Sequence, residues 1–231
     1  MSRPGGQLAN RPLHFFWVVD CSGSMAGDKI QSLNTAVKDA LPEMKRVAAE
    51  NPNAQVLVRV LAFSQGARWI VANPTPLEQF TWTDLSTDGC TDMGAALREV
   101  ATQLRVPPMP ERALPPVVVL VSDGQPTDNF DGGLSAFMKE PWGKKAVRIA
   151  IAIGRDCDRS VLQKFIDHPE LKPLEANSSQ DLAKQIRWAS TVGLQVASSP
   201  PSQLTGSASA NNMQALVSAA QNQPLTGNDV W

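Results

Sequence analysis

The sequence predicts an α/β fold: a doubly wound, mostly parallel six-stranded sheet with one antiparallel edge strand and helices on both faces. Three observations predict it. The apolar runs HFFWVV, VLVRVLAF, VVVLV and VRIAIAI are nearly continuous, as strands covered on both faces require. Between them lie segments with apolar residues at intervals of three and four, the helical period. Finally, the first and third of these runs end abruptly in Asp, Ser and Gly, where sheets of this class bind ligands beyond their strands' carboxyl ends.

Each element follows in chain order. Leu13 to Val19 is the first strand. Gly27-Asp28 opens a helix whose face is marked by Ile30, Leu33, Val37, Leu41 and Met44, and Pro42 is expected to kink or shorten it. Ala54 to Phe63 is the second strand; Ser64-Gln65-Gly66 turns it into a hairpin partner, Ala67 to Ala72, the antiparallel edge. A Pro- and Thr-rich connection covers 73–88, and a helix runs from Met93 to Leu104. After the loop VPPMPERALPP come a strand from Pro116 to Val121, a helix from Gly133 to Lys139, and a strand from Ala146 to Ile153. A helix from Asp158 to Asp167, a short strand from Leu171 to Ala176 and a helix from Gln180 to Trp188, capped by Ser178 or Ser179, complete the unit.

The expected organisation is an N-terminal arm over 1–12, the α/β domain over 13–192, and a polar linker and tail over 193–231. Within the tail, Met213 to Ala220 reads as a short helix or an extended docking peptide, and Trp231 as a docking tail or a disordered end.

Composition narrows the function. Of 231 residues, 42% are hydrophobic and 19% charged, enough apolar material for a substantial core. The formal charge of −1 lacks the basic excess that a nucleic-acid backbone demands. His14 and His168 are too few and too distant for the common zinc sites. Cys21, Cys90 and Cys157 form no CxxC pair, the N-terminus has no signal-type apolar core, and no stretch is long enough for a membrane span. The expectation is a cytoplasmic protein with reduced thiols and no membrane contact.

Three polar clusters carry the chemistry: Asp20-Cys21-Ser22-Gly23-Ser24, Gly89-Cys90-Thr91-Asp92 and Ser122-Asp123-Gly124-Gln125-Pro126. Their hydroxyl and carboxylate oxygens are hard ligands, suited to Mg²⁺, with Mn²⁺ or Ca²⁺ as alternatives, rather than to zinc or copper. Asp20, Ser22, Ser24, Thr91 and Asp123 are the candidate metal residues. Because hydroxyls are neutral, two carboxylates at most offset the ion's charge. If one of them acts through water, the metal stays electrophilic and favours an outside anionic ligand, such as a partner's Glu or Asp. Asp88, Asp92, Asp128 and Asp131 are expected to crowd the same face as an acidic rim.

VVDCSGSM, DGCTDMGAAL and VVLVSDGQPTD, in that order, resemble the three metal-site segments of von Willebrand factor type A domains. The resemblance covers about residues 13–192. It implies a metal-ion-dependent adhesion site with the pattern D-x-S-x-S…T…D, matched by Asp20, Ser22, Ser24, Thr91 and Asp123, and a Rossmann-like sheet. It also implies that the serines and the threonine touch the metal directly while one Asp acts through water. More narrowly, the chain is similar to stand-alone bacterial TerY-type proteins of tellurium-resistance and stress-response systems. That likeness implies an adaptor working with a Ser/Thr kinase and a PP2C-type phosphatase.

Other residues have plainer readings. Cys21 and Cys90 read as small, buried, inert thiols, since neighbours of a ligand in an extended segment point away from it. His14 reads as a hydrogen-bonded core histidine, and Trp17 and Trp188 as packing residues. Packing is also the first reading for Trp69 and Trp82, with an exposed interface anchor as the second. Gln125 and Thr127 fit either the site or a capped turn. The competing function is a metal-dependent phosphohydrolase. Against it, the three motifs contain no Lys or Arg for a transferring phosphoryl group, no Asp-x-Asp pair and no P-loop. A further reading, compatible with the adaptor, is phosphorylation of Thr81, Thr83, Thr87, Thr127 or tail serines.

Overall fold

A computed structural model describes residues 10–51, 54–198 and 208–221, with side chains of the last segment described over 214–220. The outer part of the arm, Trp231 and the tail serines at 199, 202 and 207 lie outside what is described, as does the side chain of Ser209.

The sheet has six strands: β1 (Arg11–Asp20), β2 (Ala54–Ser64), β3 (Gly66–Pro76), β4 (Val117–Ser122), β5 (Val147–Ile153) and β6 (Leu174–Ala176). Their order is β3-β2-β1-β4-β5-β6, all parallel except β3, which runs antiparallel to β2 at the edge. The helices are α1 (Asp28–Ala49), α2 (Met93–Gln103), α3 (Phe130–Lys139), α4 (Pro141–Lys145), α5 (Arg159–Ile166), α6 (Ser179–Ser198) and α7 (Ala208–Gln221). A single 3₁₀ turn, Gly23–Met25, links β1 to α1.

β1 is central and its side chains alternate between two helical layers. Phe15 and Trp17 face α1 and α6: Trp17 meets Trp82 edge-on, and Trp82 Nε1 donates to Asn34 Oδ1 on α1 at 3.0 Å. His14 and Phe16 face the other layer, where Arg59 of β2 donates to Gln103 at the end of α2. α2 packs on α3 so closely that a Cβ at Gly94 would fall 2.3 Å from the Asn129 carbonyl oxygen, and one at Gly133 would fall 2.3 Å from that of Gly94.

Several boundaries differ from expectation for physical reasons. Pro42 does not shorten α1. It is exposed, as is Lys38, so the carbonyl deprived of its partner faces water. β3 continues past Ala72 to Pro76, and as an edge strand it tolerates Pro74 and Pro76 without losing an interior ladder bond. α4 has no counterpart in the sequence reading; Pro141 starts it at a position where a missing N–H costs nothing. α6 runs ten residues past Trp188, capped by Ser178, whose Oγ accepts from Asp181 N at 3.1 Å. Gly193 explains how it lies on the sheet: a Cβ there would stand 3.1 Å from Val117 Cγ1 and 3.2 Å from Ile149 Cδ1. The helix read over Met213 to Ala220 lies within α7, which buries Leu216 and Val217 and contacts α6, α4 and β5.

Candidate metal centre

The chain leaves β1 toward β2 on one side and later returns to β4 on the other, so β1 and β4 flank the switch in strand order. Asp20 ends β1 and Ser122 ends β4, with Asp123 immediately after. The site therefore forms at the crevice where such sheets place their ligands.

Asp20 is fully buried. Its Oδ1 accepts from Ser22 N at 2.8 Å and its Oδ2 from Ser122 Oγ at 2.5 Å. Burial pushes its carboxyl above the ordinary range; the Ser122 and Ser22 hydrogen bonds act against that shift, and the charge of Asp123 adds to it. The chain then turns through Gly23–Met25, with Met25 fully buried beneath, which leaves Ser22 covered and Ser24 exposed. Ser22 Oγ and Ser24 Oγ are 2.9 Å apart, and Ser24 Oγ donates to Asp123 Oδ1 at 2.7 Å. The other Asp123 oxygen accepts from Lys29 Nζ, in the first turn of α1.

Thr91 enters from the loop before α2. A Cβ built on Gly124 would stand 3.6 Å from Thr91 Oγ1 and 3.7 Å from Ser24 Oγ, so the three loops meet at this point. The second and third loops are laced together. Thr91 N donates to Thr127 Oγ1 at 3.0 Å, Thr127 N to the Thr91 carbonyl at 2.9 Å, and Thr127 Oγ1 to Asp92 Oδ1 at 3.0 Å. Asp128 accepts from Gly94 N and Ala95 N at 2.8 and 2.7 Å, which caps α2 from a neighbouring loop. The first loop joins the second by backbone bonds, Gly23 N to Gly89 O at 3.1 Å and Asp88 N to Cys21 O at 2.7 Å.

All five residues singled out in the sequence thus converge: two carboxylates and three hydroxyls, with a single ammonium on one carboxylate. Among the described residues no group of three His, Cys, Asp or Glu is set to hold a metal. A donor set richer in hydroxyls than in charged or soft ligands suits a hard divalent cation.

The family model of the von Willebrand factor type A domain matches residues 16–187. The chain belongs to this family. Domains of this type are metal-binding protein-interaction modules. None of the curated proteins matches the VWA chain. Among solved structures it resembles the ArnB paralog VWA2 from Sulfolobus acidocaldarius, with 16% identity, a TM-score of 0.57, and coverage of 79% of this chain and 45% of that one. It also resembles a von Willebrand factor type A protein from Catenulispora acidiphila, with 16% identity, a TM-score of 0.58, and coverage of 80% and 43%. A third is proximal thread matrix protein 1 from the mussel byssus with a zinc-occupied MIDAS motif, with 18% identity, a TM-score of 0.58, and coverage of 80% and 50%. At such identities the likeness establishes the fold, and the VWA chain spans half or less of the length of these structures.

Some expectations about the surroundings are corrected. Cys21 is buried, and burial pushes its thiol up to about 12, but Cys90 is exposed, because its loop carries it outward just before α2. His14 is buried, yet its Nδ1 has no hydrogen-bond partner. The acidic rim is largely committed to structure: Asp92 accepts from Gly66 N and Thr127, Asp128 caps α2 and pairs with Arg98, and Asp131 pairs with Lys164. Sequence reasoning missed Lys29. It stands five residues beyond Ser24, outside every motif, and only its place in the first turn of a helix following the site could have drawn notice.

Proposed function

We propose that this VWA domain is a non-enzymatic, metal-dependent protein-interaction module. Asp20, Ser22, Ser24, Thr91 and Asp123 hold a divalent cation, Mg²⁺ ahead of Mn²⁺ or Ca²⁺, and a partner's Glu or Asp completes its coordination. One observation carries the reading: five oxygen-bearing side chains from three loops meet in a chain of contacts at the switch point of the sheet. Bound there, the metal would have its charge at most balanced by the two carboxylates, and with one of them acting through water it would stay electrophilic toward a partner's carboxylate. Asp20 and Asp123 supply the charge, while Ser22, Ser24 and Thr91 supply neutral donors held in place by the 3₁₀ turn and the Thr91–Thr127 lacing.

The mussel protein with zinc in its MIDAS motif supports a metal in this fold, and the all-oxygen donors of this chain favour magnesium over zinc. Three unpaired cysteines, and the lack among the described residues of a helix long and apolar enough to cross a membrane, support a cytoplasmic setting. The likeness to TerY-type proteins makes a Ser/Thr kinase and a PP2C-type phosphatase the first partners to test, in a bacterial stress-response or tellurium-resistance system.

Isothermal titration with Mg²⁺ and Mn²⁺ tests the metal centre: saturable binding is expected, and its absence removes the reading. Co-purification with and without EDTA tests the interaction: a partner retained only in the presence of metal is expected. Turnover of p-nitrophenyl phosphate that is lost in Asp20→Ala would replace the module with a phosphohydrolase.

A further inference from the structure

We propose that Lys29 is a tethered counter-ion that competes with the metal for Asp123 and passes to Asn177 when the metal binds. The inference rests on the metal-centre reading above and assigns that site its own built-in regulator.

The first observation is where the ammonium sits. The Asp123 side chain is fully buried, and its two oxygens are taken by Ser24 Oγ and Lys29 Nζ. A cation drawn to Asp123 meets a positive charge already in place. It must displace that charge or bear the repulsion of two cations a few ångströms apart under partial burial, where screening by water is weakened. Lys29 also occupies the first turn of α1, the end of a helix where the dipole disfavours positive charge. Its attachment to Asp123 is what offsets that disadvantage.

The second observation is where the ammonium can go. Beside Asp123 lies a crevice of about 380 Å³ whose lining includes Lys29, Asp123, Gly154, Arg155, Cys157 and Asn177. Asn177 Oδ1 is buried there without a hydrogen-bond partner, although its backbone N–H donates to Asp181 Oδ2 at 3.3 Å. A buried amide oxygen lacking a donor is costly, and an ammonium has three donors and no acceptor. In this structure Asp123 is satisfied and Asn177 Oδ1 is not. In the loaded state the metal satisfies Asp123, and Lys29, turned along the crevice, satisfies Asn177. The same ammonium thus serves two acceptors in alternation. Mg²⁺ binding is weakened by the competitor and partly restored by the second acceptor. Arg155, also lining the crevice, is exposed, whereas Lys29 already sits on Asp123, so Lys29 is the cation placed to alternate.

The test is calorimetric titration of Mg²⁺ into the full chain, with melting in EDTA alongside, for wild type, Lys29→Met, Asn177→Ala and the double variant. Lys29→Met should bind Mg²⁺ about tenfold more tightly and melt at a lower temperature in EDTA. Asn177→Ala should bind severalfold more weakly and melt no lower than wild type, and in the Lys29→Met background it should leave affinity unchanged. Lys29→Gln, neutral but still able to reach Asp123, should also tighten binding, which keeps the test open if the methionine variant folds poorly. Unchanged or weaker binding in both Lys29 variants overturns the competition. An Asn177→Ala effect of equal size in both backgrounds overturns the transfer. No binding by wild type itself overturns the metal-centre reading instead.

Discussion

Strand β1 buries a polar side chain near each end, and the two ends handle it in opposite ways. Near its start, His14 is held neutral: burial first, then the nearby charge of Arg59, lowers its pKa to about 4. Its ring stacks on Phe16 at 6.2 Å, and the Arg59 guanidinium lies 5.5 Å from the same phenyl centroid, with Nη1 donating to Gln103 Oε1 at 2.6 Å. Even so, His14 Nδ1 and Arg59 Nε lack partners. At the other end Asp20 has both oxygens hydrogen-bonded, yet its charge stands beside a second carboxylate. The first end is closed on itself, with its polar atoms imperfectly served as a cost of packing. The second is well served in hydrogen bonds and poorly served in charge, and a deficit of that kind is what a cation repairs.

Four measurements break or sharpen this contrast, beginning with the largest effect. Asp20→Asn keeps an acceptor for Ser22 N and removes the charge. Mg²⁺ affinity in calorimetry should fall at least ~1,000-fold, about 4 kcal/mol, while the variant melts no lower than wild type in EDTA because a desolvated charge is gone. A lower melting temperature would mean that the Asp20 charge itself holds the fold together.

Acid should act through His14. The unfolded chain takes up a proton near 6.5 and the folded protein only near 4, so the unfolded state binds more protons between those values. Stability from this group is full above the upper value and falls as pH drops through the window, by about 3 kcal/mol at the bottom. Urea unfolding at pH 7 and pH 4.5 measures it, and His14→Phe should flatten the dependence.

Saturating the metal should stabilise wild type by about 2.7 kcal/mol at a free concentration one hundred times Kd. In a chain of this size that is a rise in Tm of roughly 5–10 °C, abolished in Asp20→Asn and retained in His14→Phe. The smallest effect belongs to Cys90→Ser, an exposed position beside Thr91: stability should stay within ~0.5 kcal/mol and Mg²⁺ affinity should not change.

The contrast also marks how far the sequence could be read. The apolar run from Leu13 to Val19 and its end at Asp20 were legible because an unbroken apolar strand, covered on both faces, breaks off there at a carboxylate. The alternation of strands and helices gave the parallel sheet, and the Ser64-Gln65-Gly66 turn gave its antiparallel edge. The second half of α6 was not legible. ASTVGLQVAS is rich in small and β-branched residues with a glycine in the middle, a weak helical signal. Gly193 is there for contact with Val117 and Ile149, which only the packed sheet reveals. Within the site, the five oxygen donors follow a fixed spacing along three loops and stand out. Lys29 reaches in from a neighbouring helix, and Asp128 caps α2 across a gap in sequence. No spacing rule marks such a side chain, because its role depends on which loop folds beside it.

The lacing of Thr91 and Asp92 to Thr127, with Asp128 locked onto α2, has a consequence for anyone who would transplant this centre. Those two segments are laced into one unit, and the 3₁₀ turn that holds Ser24, with Ser22 at its N-cap, stands opposite it. A graft that carried over Thr91 but left residues 126–128 behind would lose the scaffolding that aims the hydroxyl. Both pieces have to travel together, and the serine turn, bonded to the second loop through Gly23 N and Cys21 O, has to go with residues 88 and 89.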